Sequence, residues 1–314
     1  MTGLVSQSAI LVKAETTYNT DAAPVPGTDA VLVQNLKHDY SKQRMFGRPA
    51  LKPTFGPMRP LYAGSLYEVS FEVEDKGSGT AGTPPEVGVC LLGAAFSETI
   101  VAVTSATYKP TSTIANHKSL TIWLYEAGHV YKITGARASK CAYSRKVGEA
   151  GKWSFTFIGH ILVAPADGAL IAPTFDSTVP PMSLGLTATI DSYAAVITKV
   201  EFDMGLEIAT PESISAVDGY GEIQIVGRNI TGALDPHRAA ISAYDFQAKW
   251  KSGGPYAFAS GVIGATAGNR ISITMPAVQP MAIGMSEAGK IATFDYKFTA
   301  VESTTDDQVS VAYT

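Results

Sequence analysis

Residues able to carry out chemistry are few and widely spaced. The five histidines, His38, His117, His129, His160 and His237, stand singly in different segments, with no pair at metal-ligand spacing and no HExxH. A Gly-x-Ser-x-Gly elbow is missing, as is any nucleophile beside a base, so hydrolysis would need residues distant in sequence. Structural or surface roles are expected for all five. Cys90 and Cys141 are isolated, one in an apolar helix-like run and the other in a strand, and are expected to be buried free thiols. Gly77, Gly79 and Gly82 fit the dinucleotide-binding GxGxxG, with Glu98 downstream at a tempting distance. Two features oppose that chemistry. Pro84 and Pro85 delay the helix that the glycines should open, and Glu68, Glu72 and Glu74 share one face of the preceding strand, where a buried parallel strand would be apolar on both faces. The glycine run is therefore read as a turn, and no cofactor, metal or catalytic residue is expected. The sequon at Asn229 carries no information without a secretory signal.

Charge is patterned more tellingly. Residues 36–64 hold Lys37, Lys42, Arg44, Arg48, Lys52 and Arg59 against Asp39 alone, with four prolines and little periodicity. A compact domain rarely keeps so long a non-repetitive loop without a use for it. Acidic side chains recur on the wet faces of strands: Glu68, Glu72 and Glu74 early in the chain, and Glu201, Asp203 and Glu222 later.

The elements that position these residues are mainly strands. The 314 residues include 29 glycines and 18 prolines, and only 17% are charged, which favours short strands joined by many turns. Twenty-four basic against 28 acidic residues give a net charge of −4, which disfavours a chain that grips phosphate over its whole surface. The first twenty residues lack a secretory pattern and the longest apolar stretch, 87–96, is too short to span a bilayer, so a soluble protein made in the cytoplasm is expected. Period-2 alternation predicts strands at 31–36, 68–74, 120–125, 130–134, 153–158, 196–203, 222–228, 270–274 and 291–301. Two helices are expected, at 84–96 and 235–251, each with proline in its first turn.

Those helices mark an internal repeat. Each follows an alternating strand and a glycine turn, EVSFEVEDKGSG in one half and GEIQIVGRNITG in the other. Residues 133–157 match 271–295 at a constant offset, with EAGK at 149–152 and again at 287–290. Two tandem domains of one type are therefore expected, 1–172 carrying the basic loop 37–63, and 173–314, with a proline-rich linker at about 164–182.

The segments ILVKAETTYNTDAAPVPGTDAVLVQNL at 10–36, FEVEDKGSGTAGTPPEVGVCLLGAAFSET at 71–99, VYKITGARASKCAYS at 130–144 and GKWSFTFIGHIL at 151–162 resemble the tail tube proteins of siphophages, the phages with long non-contractile tails. The second half is similar less sharply, through VEFDMGLEI and IATFDYKFTAV. The resemblance implies β-sandwich or barrel domains, each with one flanking helix, in a non-enzymatic subunit. It also implies sheets continuing between subunits around a ring, rings stacked by long loops into the channel for viral DNA, and a place in the virion after assembly in the host cytoplasm. Its partners would be further copies of itself, the tape measure protein in the lumen, and terminator and distal tail proteins at the ends. DNA would pass without specific binding, and no membrane is involved.

On that basis Lys42, Arg44, Arg48, Lys52 and Arg59 are expected to form an arm reaching an acidic surface of a neighbouring ring, and the acidic loop around Glu212 is one candidate. Glu68, Glu72, Glu74, Glu201, Asp203 and Glu222 are candidates to line the lumen, where negative charge repels DNA. Two fused domains should occupy a third of a ring, giving a trimer with pseudo-sixfold symmetry. The competing reading is a non-catalytic carbohydrate-binding or adhesin module, with Trp250 and Tyr256 as a sugar platform.

Overall fold

The computed structural model describes residues 7–314; residues 1–6, the start of the N-terminal segment that lacks a secretory pattern, lie outside the described residues. The first half contains β1 (Ser8–Ala14), β2 (Ala30–Val31), β3 (Val33–Phe46), β4 (Leu61–Glu74), α1 (Gly88–Gly93), β5 (Phe96–Val101), β6 (Ser105–Pro110), β7 (Leu120–Glu126), β8 (His129–Lys146) and β9 (Lys152–His160). A short β10 (Ala166–Asp167) leads to the second half: β11 (Ala188–Ile190), β12 (Tyr193–Ala195), β13 (Lys199–Asp203), β14 (Leu206–Ala209), β15 (Gln224–Arg228), β16 (Thr231–Leu234), α2 (Phe246–Ser252), β17 (Tyr256–Ile263), β18 (Ile271–Ala288), β19 (Ile291–Ala300) and β20 (Ser310–Tyr313). Among the described residues the fold is thus mainly β, with two short α-helices, as the strand periodicity requires.

One order of antiparallel pairing occurs twice. In the first half β2 pairs β1, β1 pairs β7, β7 pairs β8, β8 pairs β9, β9 pairs β4 and β4 pairs β3. The sequence β12, β11, β17, β18, β19, β16, β13 repeats these six ladders in the second half. The two EAGK segments nevertheless fall at different places. Residues 149–152 cross from the β8–β9 loop into β9, whereas 287–290 close β18 and form the two-residue turn before β19. The inward aromatics align instead: Trp153, Phe155 and Phe157 on β9 match Phe294, Tyr296 and Phe298 on β19.

Among the described residues two seams join the halves into one network of eighteen strands. The end of β8 pairs with β13, Tyr143 opposite Phe202. Their rings stack at 5.2 Å, and Phe202 meets Trp153 edge-on at 5.7 Å, so one apolar core runs through both halves. The second seam is β20, which lies between β18 of its own half and β6 of the other. Its Tyr313 donates a hydrogen bond of 2.7 Å to Asp75, a fully buried carboxylate that also receives Tyr143 at 2.8 Å, Arg145 at 2.6 Å and the Trp153 indole at 3.3 Å. The glycine turn belongs to this seam as well. Gly77 donates to the Asn269 side chain, and a Cβ there would sit 2.0 Å from the Gly268 carbonyl oxygen, so close backbone approach, and not phosphate, explains the glycine.

Next to β20, Asp306 receives the Ser112 amide and hydroxyl and the Arg228 guanidinium. Burial alone would raise its pKa, but these hydrogen bonds outweigh burial and hold the carboxyl below its ordinary range. Stability from this group is therefore present above about pH 4 and is lost as pH falls through the lowered value. Asp306→Asn should lower the neutral plateau of a denaturation series and flatten its acid limb, so that variant and parent converge at low pH.

Both helices begin later than the sequence pattern suggested. The first is confined to Gly88–Gly93, after a turn through Pro84 and Pro85. The second starts only at Phe246, where Asp245 caps the Gln247 and Ala248 amides. Asp235 is occupied elsewhere, accepting from the Thr198 and Lys199 amides, and the Phe294 amide binds the Pro236 carbonyl, so that segment is extended.

Candidate functional site: a polar sheet face and a projecting arm

Residues directly opposite one another in an antiparallel ladder share a face, so the registers place side chains across both halves. One row runs Glu74, Lys152, Ser144, Glu201, Ala233, Lys297 over β4, β9, β8, β13, β16 and β19. The next runs Glu72, Ser154, Ala142, Asp203, Thr231, Thr299 over the same strands. Alternation puts Glu68 on this face too, opposite Asp39. The ladder therefore brings five of the six acidic candidates onto one face spanning the seam. Glu222 stands apart, before β15, paired with buried Arg137 at 2.9 Å.

The acids on this face are interleaved with lysines. Glu72 lies 3.8 Å from Lys152 and Glu201 3.1 Å from Lys199, and Asp295 is 3.7 Å from Lys297. Exposed pairs of this kind contribute well under about 1 kcal/mol each, so they set the character of the face more than its stability. Charges of both signs among serine and threonine, with no aromatic in either row, give a wet surface that offers neither a stacking platform nor a continuous basic track.

The basic segment, expected as a loop, is largely a β-ribbon. β4 joins β9 only from Tyr67 onward, so residues 61–66 and their partners on β3 project beyond the sheet and carry residues 47–60 at the tip. A free two-stranded ribbon is marginal in water. This one is braced by residues 206–223 of the other half: Tyr220 donates to the Lys42 carbonyl at 2.8 Å, and Lys42 donates to Thr210 at 2.9 Å. Arg44 lies 4.2 Å over the Tyr220 ring, donates to the Gly219 carbonyl and pairs with Glu212 at 2.5 Å. Leu66, Ile158, Tyr220 and Ile223 bury a small core below. At Gly64, with φ of +121°, a Cβ would strike the Asp218 carbonyl oxygen at 2.2 Å, which requires glycine there. The basic candidates thus divide. Lys42 and Arg44 bind the acidic loop of their own chain, whereas Arg48, Lys52 and Arg59 stay on an exposed tip with fully exposed Leu51 and Phe55.

Sequence reasoning missed one constellation of enzyme-like residue types. Buried His160 holds Asp218 at 2.5 Å on Nδ1 and the Tyr18 hydroxyl at 2.9 Å on Nε2. Tyr18 also accepts the Ile223 amide, and burial pushes its pKa up to about 12, opposite to what a nucleophile needs. The trio ties β9 to the brace. His38 likewise bridges Tyr67 and Glu126. Both cysteines are buried free thiols, raised in pKa by burial. At the proposed sugar platform, Trp250 is partly exposed, but the Tyr256 ring is covered by Lys249 at 4.9 Å.

No curated protein sequence matches the chain. A family model described as "Phage tail tube protein" matches residues 5–313, spanning the doubly repeated ladder, the polar face and the arm. The chain therefore belongs to the phage tail tube protein family, structural components of the virion tail.

Proposed function

We propose that three copies of this chain close a ring, and that rings stack into the DNA-conducting tube of a long non-contractile tail. In this reading the chain is a tandem pair of tube-type units, 1–172 and 173–314. The observation that carries it is the β8–β13 seam. The repeated pairing order makes β3 the counterpart of β13 and β18 the counterpart of β8. Among the described residues the outer edge of β3 has no partner, and neither has the edge of β18 at 284–288 opposite β19. Met285, facing Phe294 as Tyr143 faces Trp153, is 60% exposed where Tyr143 is buried. An open edge with an uncovered apolar residue is a template for another strand. Pairing β18 of one chain with β3 of the next repeats the internal seam between chains and closes after three copies. Fusion makes every second seam intramolecular and removes part of the association entropy.

The face bearing Glu68, Glu72, Glu74, Glu201 and Asp203 lines the lumen, where interleaved charge and hydroxyls let DNA slide without capture. The tape measure protein occupies that lumen during assembly in the host cytoplasm, and terminator and distal tail proteins meet the tube ends. The arm tip links rings. Replacing residues 48–59 with Asn-Gly closes the ribbon by a tight turn. In electron micrographs of the purified proteins, the parent should give hollow tubes and the shortened variant only single rings. Tubes from the shortened variant would remove the arm from the account, and a parent that stays monomeric would remove the ring.

A further inference from the structure

We propose that the arm tip seats in an acid-rimmed groove at the far end of the sheet on a copy in the neighbouring ring; this rests on the reading of the arm as an inter-ring link. The groove, about 550 Å³, lies between residues 12–14, 27–31, 84–98 and 174–176. Asp29, Glu86, Glu98 and Asp176 line it above Pro85 and Phe175, with Lys13 as the one lining base. Lys13 is already taken by Asp29 at 3.5 Å. Glu86 is more than nine-tenths buried; it accepts the Leu32 amide on one oxygen and faces Lys76 at 3.1 Å with the other, which receives no hydrogen bond.

The tip is the complement on the same chain. Arg48, Lys52 and Arg59 make no ion pair among the described residues, and Leu51 and Phe55 are fully exposed around them. An aromatic and a leucine ringed by cations match an apolar floor ringed by carboxylates. Position agrees. β4 leaves the arm at Leu61 and ends at Glu74, from which the chain runs directly to Pro84 and the groove, so knob and socket stand at opposite ends of a strand about 45 Å long. Knob and socket on different surfaces of one molecule make a heterologous contact that does not close, and it extends into a filament. A second cavity, of about 330 Å³, is more apolar, but Arg145, Lys146 and Lys199 line it and would repel the tip.

Cysteine pairs test the assignment in assembled tubes, because Cys90 and Cys141 are buried and silent. Phe55→Cys combined with Thr174→Cys, oxidised after assembly, should give a disulfide ladder on non-reducing gels that runs past one ring's complement, and neither single variant should. Tubes that form without a ladder, or a ladder from Phe55→Cys with Ile197→Cys at the second cavity, would overturn the groove while leaving the arm's role standing. Glu98→Lys with Asp176→Lys should raise the concentration needed for tubes about tenfold or more. Adding Arg48→Glu, Lys52→Glu and Arg59→Glu should bring it back; unchanged assembly of the doubly reversed groove would also overturn the proposal. Tubes from the shortened arm would instead refute the reading beneath it.

Discussion

Asp75→Ala should lower the unfolding free energy by about 3–5 kcal/mol, the cost of leaving a buried guanidinium without its counter-charge. Arg145 pairs with Asp75 at 2.6 Å, and both side chains are shut away from water. The loss also strands the hydroxyls of Tyr143 on β8 and Tyr313 on β20, which Asp75 ties together between the two halves. Tyr313→Phe removes one donor and keeps the ion pair, so its cost should be nearer about 1 kcal/mol. Chemical denaturation of the unassembled protein orders the two variants. Equal losses would mean that the carboxylate does not hold the seam. Burial raises the pKa of Tyr143 and Tyr313 well above the ordinary phenol value. Their contribution is therefore complete below about pH 10 and is lost as pH rises toward the folded-state values, so their ionisation should coincide with alkaline unfolding.

Lys37→Cys with Ser286→Cys should join neighbouring chains of a ring in high yield. The ladders make Lys37 the counterpart of Glu201, and Ser286 that of Ser144, which face each other in the internal seam. Directly opposed Cβ atoms lie about 4.5–5.5 Å apart, within reach of a disulfide after small adjustment or of a short bismaleimide. The covalent products should end at three chains. Products running to six would refute the trimer, and absence of cross-links in intact rings would refute the β18–β3 pairing.

The strand class was legible because alternation survives wherever one face is wet, as in Glu68 to Glu74. Lengths were not. β8 and β18 each run eighteen residues, and their C-terminal ends, 144–146 and 286–288, are polar or small and carry no apolar alternation that would extend the predicted strands. The arm looked irregular because its β3 and β4 segments have no apolar inward face beyond Leu66, so period 2 has nothing to report there. Proline misled at Pro236, where the neighbouring Asp235 caps the start of β13 and leaves the helix to Asp245. At the candidate site, residue types showed which side chains were charged, while only register showed that five acids share a face with lysines between them. Sequence order also hid that Arg44 and Glu212, read as partners between rings, meet within one chain.

The most direct test of the ring is a cryo-EM map of tubes assembled from the intact chain. Three chains per disc are predicted, in density that looks sixfold at low resolution, with β18 of each chain hydrogen-bonded to β3 of the next and the Glu72 and Glu201 face toward the channel. Six chains per disc, or discs in which β3 and β18 leave their edges unpaired, would contradict the account.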